Sequence, residues 1–332
     1  MFRFVPSHPF GRTQAGVSLV EVMISMTLGL LVLAAMTTVF VNNSQSRREL
    51  NNAATQLENG RYALQILKDE LSMAGYYDAL ANLNTGAKTA SPCSSTVADW
   101  SDTMVVAVEG VNSDRFDCIN SASVKANTGM IFVQRASTSE QSPEALDNTD
   151  QGRAFLQVQM CGAQYDAGNR MVLKSHTEQD PDTVFTMQTK KCDGTKAPIR
   201  EYIRRIFFIG EAKGIPVLRR VDVRSDGLQA AQDLVEGIED LQFEYAIDTN
   251  SNGSPDEFSE TPTADKMADI VGVRVWLIAR SLLPTPGYSE SKTFKLGTKD
   301  AGAIAGLLPA GYKRHVFTTY IELVHPVARR EK

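Results

Sequence analysis

An apolar run near the N-terminus, from Val17 to Val41, constrains this chain more than any other feature, and it contains a single charged residue, Glu21. As a helix rising about 1.5 Å per residue, a run of this length spans roughly 37 Å, enough to cross a ~30 Å hydrocarbon core with some tilt. Arg3 and Arg12 precede it without any acid between them, which favours a cytoplasmic location for that flank. The sequence therefore predicts one N-terminal membrane-spanning helix.

Two simpler interpretations of this run stand as alternatives. A cleaved secretory signal would have a shorter apolar stretch and a small-residue cleavage site after it, whereas polar helix-forming sequence follows Val41 directly. A plain one-pass anchor does not explain Glu21, because a carboxylate inside a bilayer costs roughly 2.5–3.5 kcal/mol on insertion scales. The carboxylate therefore predicts a partner and a function.

Residues 16–21, with the sequence GVSLVE, resemble the class III signal of type IV prepilins. The resemblance implies that a membrane peptidase cuts between Gly16 and Val17 and methylates the new N-terminus. Residues 1–16 would then be the leader peptide, residues 17–41 the transmembrane and filament-core helix, and Glu21 the fifth residue of the mature chain. Family members most often have Phe at the first mature position, where this chain has Val17.

The chemistry of Glu21 agrees with that resemblance. Cleavage would create an α-amino group at Val17 with a reference pKa of about 8. The Glu21 side chain lies about one helical turn from it, so the two charges can neutralise each other within a chain or between staggered neighbours. The resemblance implies that the intermolecular version sets the register of subunits in a filament.

The helical pattern continues past the apolar run. Leu50, Leu57, Leu64 and Leu71 recur every seven residues, and small or apolar residues lie between them. This stripe is compatible with a coiled coil or with one helix face lying on a sheet of the same chain, and the small and polar residues between the leucines favour the sheet. We expect an amphipathic continuation over residues 42–77, with Gly75 as its stop signal.

Strand-like segments dominate the rest of the chain, residues 78–332. Residues 78–102 read as a loop, and residues 202–223 read as a hairpin around GEAKG. The other predicted strands cover residues 103–109, 129–136, 154–160, 241–247, 271–279 and 315–323. Antiparallel strands packed on a helix predict an α+β fold in which a long N-terminal helix packs on a β-sheet head domain.

Three segments of the head resemble the PilW family of minor pilins, which is similar to the J-type minor pseudopilin of type II secretion. They are DLVEGIEDLQFEYAIDTNSNGSPDEF, VRVWLIARS and HVFTTYIEL, at residues 233–258, 273–281 and 315–323. Together with the N-terminal signal, they imply a pilin-like fold. Residues 80–200 carry no resemblance to any family.

This resemblance implies a structural minor pilin that primes pilus assembly within a tip-proximal complex and supports twitching motility and adhesion. Its partners would be other minor and major pilins, the prepilin peptidase, the inner-membrane assembly platform and a large tip adhesin. It would first be an inner-membrane protein with a periplasmic head and then part of the extracellular filament. The alternatives are a type II secretion pseudopilin, which gene neighbourhood would distinguish, and a membrane-anchored periplasmic enzyme or binding module.

Charge and cysteine content narrow the function further. The formal net charge of −5 argues against a nucleic-acid binder that works through bulk positive charge. The four cysteines, Cys93, Cys118, Cys161 and Cys192, form no zinc-type spacing. Two disulfides are expected outside the cytoplasm, with sequential pairing favoured among three connectivities because it closes the shortest loops, and four unpaired thiols are the alternative.

One segment has the spacing of a calcium loop. Asp248, Asn250, Asn252, Ser254 and Asp256 occupy alternate positions around a glycine, as in an EF-hand. Ser259 stands where a bidentate Glu would complete such a loop, so any calcium site should be weak, in the 10⁻⁴–10⁻³ M range. A polar hairpin loop without metal is the alternative.

Nothing in the sequence predicts an enzyme. The four histidines are scattered, and the chain has no HExxH, GxSxG or glycine-rich phosphate loop. We expect no required cofactor and no catalytic residue.

Overall fold

The computed structural model describes residues 16–84, 86–87, 89–112, 114–176, 181–302 and 309–330. It separates into two compact units, residues 1–51 and residues 52–332. The α-helices are α1 (Leu19–Ser72), α2 (Val97–Thr103), α3 (Gly162–Asp166), α4 (Pro181–Val184) and α5 (Val324–Arg330). Short 3-10 turns cover Ser121–Ser123, Pro143–Ala145, Asn148–Asp150 and Ala264–Asp269.

The described strands number fourteen. In chain order they are β1 (Val108–Val111), β2 (Met130–Ala136), β3 (Ala154–Val158), β4 (Met171–Ser175), β5 (Ile199–Ala212), β6 (Ile215–Arg224), β7 (Gly227–Leu228), β8 (Gln232–Glu236), β9 (Ile238–Ile247), β10 (Glu257–Ser259), β11 (Ile270–Arg280), β12 (Thr293–Leu296), β13 (Lys299–Gly302) and β14 (Arg314–Glu322).

Helix α1 is a single element of 54 residues and ends before the predicted limit at residue 77. Gly75 has a φ of +74°, a conformation that glycine adopts without penalty, and its N–H donates to the carbonyl of Gln134 at 2.9 Å. The chain has therefore left the helical path at Gly75, three residues after Ser72, where its backbone bonds to strand β2. The stop signal at Gly75 lies close to the helix end, but the last five residues predicted as helix are not helical.

The buried face of α1 matches only part of the stripe that the seven-residue spacing predicts, since Leu71 is buried and Leu64 packs on the core. The helix buries Gln56, Gly60, Ala63, Leu67 and Leu71, whereas Leu50 is 70% exposed and Leu57 is 37% exposed. These buried residues are three or four positions apart, as the 3.6-residue turn of a helix lying on a sheet requires. The sheet interpretation is therefore right, and the contribution of Leu50 and Leu57 to the buried face is wrong.

Sheet 1 has eight strands arranged around the long strand β5. Strand β2 pairs with one side of β5, while β3 and then β6 pair with its other side, at residues 199–202 and 205–212. Strands β1, β4, β7 and β8 complete the sheet at its margins. The β5–β6 turn is Lys213–Gly214, with φ values of +52° and +78°, as expected for a two-residue hairpin loop.

Sheet 2 has four antiparallel strands in the order β10-β9-β11-β14. Strands β12 and β13 form a separate hairpin, whose Leu296 and Ala301 pack with Ile278 of β11. One face of sheet 2 is buried through alternate residues of β9 and β11. These are Leu241, Phe243, Tyr245 and Ile247 with Val273, Val275 and Leu277.

The largest core lies where the end of α1 meets both sheets. Ala63, Leu67 and Leu71 of the helix belong to the same cluster as Phe207 of sheet 1 and Phe243 of sheet 2. Ion pairs reinforce this packing, because Glu70 of α1 accepts from Arg135, at 3.2 Å, and from Arg205. The predicted α+β fold, with a long helix packed on antiparallel sheets, is confirmed.

The main error in the predicted elements lies between residues 97 and 107. The segment 97–103 forms α2 and buries Trp100, and the strand expected from residue 103 begins only at Val108. Trp100 stacks on Tyr202 with ring centroids 6.1 Å apart, so tertiary packing rather than the local β propensity of TMVVAVE determines the structure here. Six short described strands lie outside the predicted ones, namely β4, β7, β8, β10, β12 and β13.

Candidate functional site

The N-terminal segment that carries the predicted processing site leads directly into helix α1. Residues 16–18 have no regular structure, and α1 begins at Leu19. The N–H of Val22 donates to the carbonyl of Ser18 at 3.1 Å, which closes the first helical turn. Gly16 and Val17 are exposed, so the bond between them is accessible. Residues 1–15 of the predicted leader lie outside the described residues.

The apolar part of α1 is exposed along its whole length. None of its most apolar stretch is buried inside the protein. Its large side chains between Val17 and Val41 are 41–76% exposed. By length and composition this is one helix able to cross a membrane. An uncovered apolar surface of this size requires lipid or apolar protein partners.

The hydroxyl groups inside the apolar run are satisfied within the helix. Ser25 donates to the carbonyl of Glu21 at 2.7 Å, and Thr37 and Thr38 donate to Leu33 and Ala34 at 2.8 and 2.9 Å. Such bonds allow polar side chains to enter an apolar environment. Between Leu19 and Val41, all of which the structure describes, the Glu21 carboxylate is the one polar side-chain group without such a bond.

Glu21 lies in the first turn of α1. A negative charge is favourable there because the helix N-terminus carries a partial positive charge. In the part of the chain that the structure describes, the Glu21 carboxylate has no hydrogen-bond or ion-pair partner. Only four residues separate it from Val17, whose nitrogen would become an amine on cleavage. This geometry is suited to a charge pair that forms after processing.

The four cysteines form two disulfides, Cys93–Cys118 and Cys161–Cys192. This is the sequential pairing that the short loops favour. Both disulfides lie within residues 80–200, the part of the head without a family resemblance. They brace loops that have few strands of their own, which is a typical use of disulfides in proteins outside the cytoplasm.

Sequence reasoning missed the buried cation Arg204. Its guanidinium donates to the carbonyls of Ser94, Ala90 and Ser91 at 2.6–2.8 Å. It lies over the rings of Trp100 and Phe132 at 4.7 and 4.8 Å. Burial lowers the pKa of Arg204 to about 10, against the opposing influence of neighbouring Tyr202 and Tyr77. The one available sequence signal was its position in YIRRIFFI, where strand alternation directs it towards apolar residues.

The candidate calcium loop is folded around Asp248, which is buried. One carboxylate oxygen accepts from the N–H groups of Asn250 and Asn252 at 3.2 and 3.3 Å, and the other accepts from Gly253 at 2.9 Å. Burial works against ionisation, but these donors, with Arg330 at 3.5 Å, outweigh it and lower the pKa of Asp248.

Asp256 closes the other side of this loop. It accepts from the side-chain amide of Asn250 at 2.7 Å and from the N–H of Thr249 at 2.8 Å. The structure thus brings Asp248, Asn250 and Asp256 into one hydrogen-bonded loop, while the N–H of Ser254 donates to the Asn252 side chain at 2.8 Å. These bonds build the loop without a metal, so calcium binding stays a prediction.

Two of the three described histidines, His315 and His325, contact aromatic rings. The His325 ring is tilted against the Tyr76 ring with centroids 4.9 Å apart, and His315 meets the ring of Phe317 edge-on at 4.8 Å. His8 lies outside the described residues. Over residues 16–330 with their gaps, no group of three or more His, Cys, Asp or Glu side chains could hold a metal ion.

Two family models match this chain. Residues 206–324 match the family described as type IV pilus-assembly protein W. Residues 11–37 match the prokaryotic N-terminal methylation motif, a range that includes Gly16, Val17 and Glu21. The resemblance to the PilW family of minor pilins is therefore confirmed, and these matches point to a structural protein rather than an enzyme.

Further comparisons add little to this. A type IV-like pilin from Thermus thermophilus aligns with 81% of this chain and 97% of its own, at 10% sequence identity and a TM-score of 0.33. No curated protein sequence matches the chain.

Proposed function

We propose that this chain is a minor pilin of the type IV pilus, made as an inner-membrane precursor and cut between Gly16 and Val17. The observation that carries the proposal is the exposed apolar helix with one unpartnered carboxylate, placed within a matching N-terminal methylation motif. An ordinary anchor would need the apolar surface but not the carboxylate. A filament subunit needs both, because the charge pair specifies where neighbouring helices stop relative to one another.

The proposal divides the chain by role. Residues 1–16 are the leader, residues 17–41 are the membrane and filament-core helix, and residues 42–72 continue that helix, with residues 73–77 connecting it to the head. Residues 78–332 form the periplasmic head, which stays outside the cytoplasm after processing. Its two disulfides are consistent with that oxidising location.

The partners follow from this role. The prepilin peptidase would recognise residues 16–21, and the assembly platform would act on the processed helix. Other minor and major pilins would cover the apolar surface of residues 17–41. We place the chain in a tip-proximal complex with a large adhesin, where it primes assembly and supports twitching motility and adhesion.

The N-terminal mass of the chain tests processing. In cells with a prepilin peptidase, the membrane form should begin at N-methylated Val17, and in a peptidase knockout it should keep residues 1–16. A chain that keeps its leader in both strains would disprove the pilin function.

The Glu21→Ala variant tests the role of the carboxylate. We expect it to be processed and inserted like the wild type, but to fall at least tenfold in sheared filaments, because the new amine loses its partner. Ser25→Ala is the matched control, since that hydroxyl bonds within its own helix. Wild-type amounts of Glu21→Ala in filaments would exclude a role in register.

A further inference from the structure

Strand β14 is an unusually long sheet edge for this molecule. It has nine residues and ends sheet 2, where β11 is the neighbour with which it pairs. The described edge strands β1, β4, β8 and β10 have only three to five residues. Short edges protect a protein from unwanted strand pairing, and β14 lacks that protection.

The outward backbone groups of β14 can be identified from its pairing with β11. The register is continuous over all nine residues, from Arg314 opposite Arg280 to Glu322 opposite Gly272. At the ends of this ladder, Ser281 donates to the carbonyl of Lys313 and Leu323 donates to the carbonyl of Val271, both at 2.9 Å. Odd-numbered residues of β14 therefore face β11.

In an antiparallel pair, alternate residues direct their N–H and C=O groups to opposite sides. The N–H and C=O groups of Val316, Thr318 and Tyr320 consequently point away from β11. No strand in the described part of the chain pairs with that side. The edge thus offers regularly spaced backbone donors and acceptors to another strand.

The composition of this edge favours pairing. Its sequence, RHVFTTYIE, is rich in β-branched and aromatic residues and contains no proline or lysine. The central residues 316–320, VFTTY, are uncharged. The charge of Arg314, at one end of the strand, is already paired with that of buried Glu239. Edges that must stay unpaired usually carry charge or a bulge at their centre.

An exposed aromatic cluster lies beside the edge on the outer face of sheet 2. Tyr320 is 41% exposed and Phe258 is 45% exposed, and their ring centroids are 6.4 Å apart. The Arg274 guanidinium lies 4.9 Å from the centre of the Phe258 ring. Tyrosine and arginine are enriched among the residues that dominate protein–protein binding energy.

We propose that the β14 edge binds an extended segment of a partner protein, which adds to sheet 2 as a fifth strand. Only an extended polypeptide satisfies alternating backbone donors and acceptors at this spacing, so the edge specifies a peptide rather than a sugar or a lipid. The incoming residues opposite Val316, Thr318 and Tyr320 are uncharged, and an apolar side chain of the partner packs on Tyr320. This interaction goes beyond the proposed function and does not depend on it.

Hydrogen exchange of the full-length chain tests this edge. Amides of residues 316–320 should be compared between the chain purified alone in detergent and each cell fraction that contains it, including inner membranes and sheared filaments. We expect exchange of the Val316, Thr318 and Tyr320 amides to slow at least tenfold in a cell fraction relative to the purified chain. Fast exchange in every fraction would overturn the proposal.

Two variants of the edge give a second measurement. Thr318→Pro removes an outward N–H, a change that edge strands tolerate, whereas Thr318→Val keeps it. We expect Thr318→Pro, but not Thr318→Val, to lose its largest native complex, with exchange of the β11 amides unchanged as the control for folding. Complexes of equal size for both variants would overturn the proposal, as would protection of the edge in the purified chain by a second copy.

The same experiment separates this proposal from the proposed function. Protection in the membrane fraction of a chain that never enters filaments would support the edge and contradict the pilus role. Filament incorporation without protection of the edge would do the reverse.

Discussion

Arg204 shows how single residues organise the head. Its guanidinium binds three backbone carbonyls instead of a carboxylate. These bonds hold the loop that contains Cys93 against β5. Trp100 donates to one of those carbonyls, that of Ser94, at 2.8 Å. A planar guanidinium suits this task because it presents several donors in fixed directions between two aromatic faces.

We expect Arg204→Lys to destabilise the folded chain by about 2–4 kcal/mol, because an ammonium cannot reach all three carbonyls and stays buried. Denaturant unfolding of the full-length chain in detergent measures this. Arg219→Lys is the matched control, since Arg219 pairs with a half-exposed Asp233 and should lose less than about 1 kcal/mol. Equal losses of stability for both variants would refute the role of Arg204 in holding this loop against β5.

The loop at residues 248–256 leads to a prediction about metal binding. We expect calcium to bind weakly, with a Kd of about 10⁻⁴–10⁻³ M, because few carboxylates are present and Arg330 competes for Asp248. Calorimetry of the wild type and of Asp256→Asn tests this, and the variant should lose the binding heat. No heat in the wild type at millimolar calcium would identify the segment as a polar hairpin loop.

At the scale of elements, α1 combines two different environments in one continuous helix. Its first half is apolar on all sides and exposed, whereas its second half buries one narrow face on the sheets. The close approach occurs at Gly60, where a Cβ atom would lie 2.2 Å from the ring of Phe317 on β14. A glycine inside a helix is otherwise unfavourable by roughly 0.5–1 kcal/mol relative to alanine.

In the Gly60→Ala variant, the higher helix propensity of alanine should stabilise the helix, while the clash of its Cβ with Phe317 should destabilise the packing. We expect the packing effect to be the larger one. The variant should lose about 1–3 kcal/mol because the Phe317 ring must move within a packed core. Gly29→Ala, which has no atom within 4 Å of the added Cβ, should be neutral or slightly stabilising. Thermal unfolding of both variants compares them. A Gly60→Ala protein as stable as the wild type would show that the helix does not depend on this contact.

At the scale of the whole molecule, the chain divides into an exposed apolar unit and a compact unit that starts at Asn52. The second unit contains all of the described strands and both disulfides. We expect a chain that begins at Asn52 to fold and to stay soluble without detergent, because the exposed apolar run from Val17 to Val41 is gone.

Size-exclusion chromatography and circular dichroism of that shortened chain check this, with the full-length chain in membranes as the control. A monomer with intact β-sheet content is the expected outcome. Aggregation of the shortened chain would mean that residues 17–51 stabilise the head as well as anchor it.

Much of this organisation follows from sequence because it depends on local patterns. The apolar run indicates an apolar environment, and the alternation in β9 and β11 indicates one buried face. Residues 16–21 resemble a processing signal. The pattern of α1 was predictable as a helix, and so was part of its buried face, because Leu71 is buried. The seven-residue spacing does not predict that Leu50 is 70% exposed, because spacing alone does not specify which parts of a stripe other segments cover.

Local sequence patterns are enough to specify the membrane-length helix, its single carboxylate at Glu21 and the antiparallel character of the head, because periodicity and charge act over a few residues. The helix at residues 97–103, the buried position of Arg204 and the long open edge of β14 appear only in the folded chain. Each of these depends on contacts between segments far apart in the chain: the packing of Trp100 on Tyr202, the carbonyls of a distant loop, and the order of strands in sheet 2.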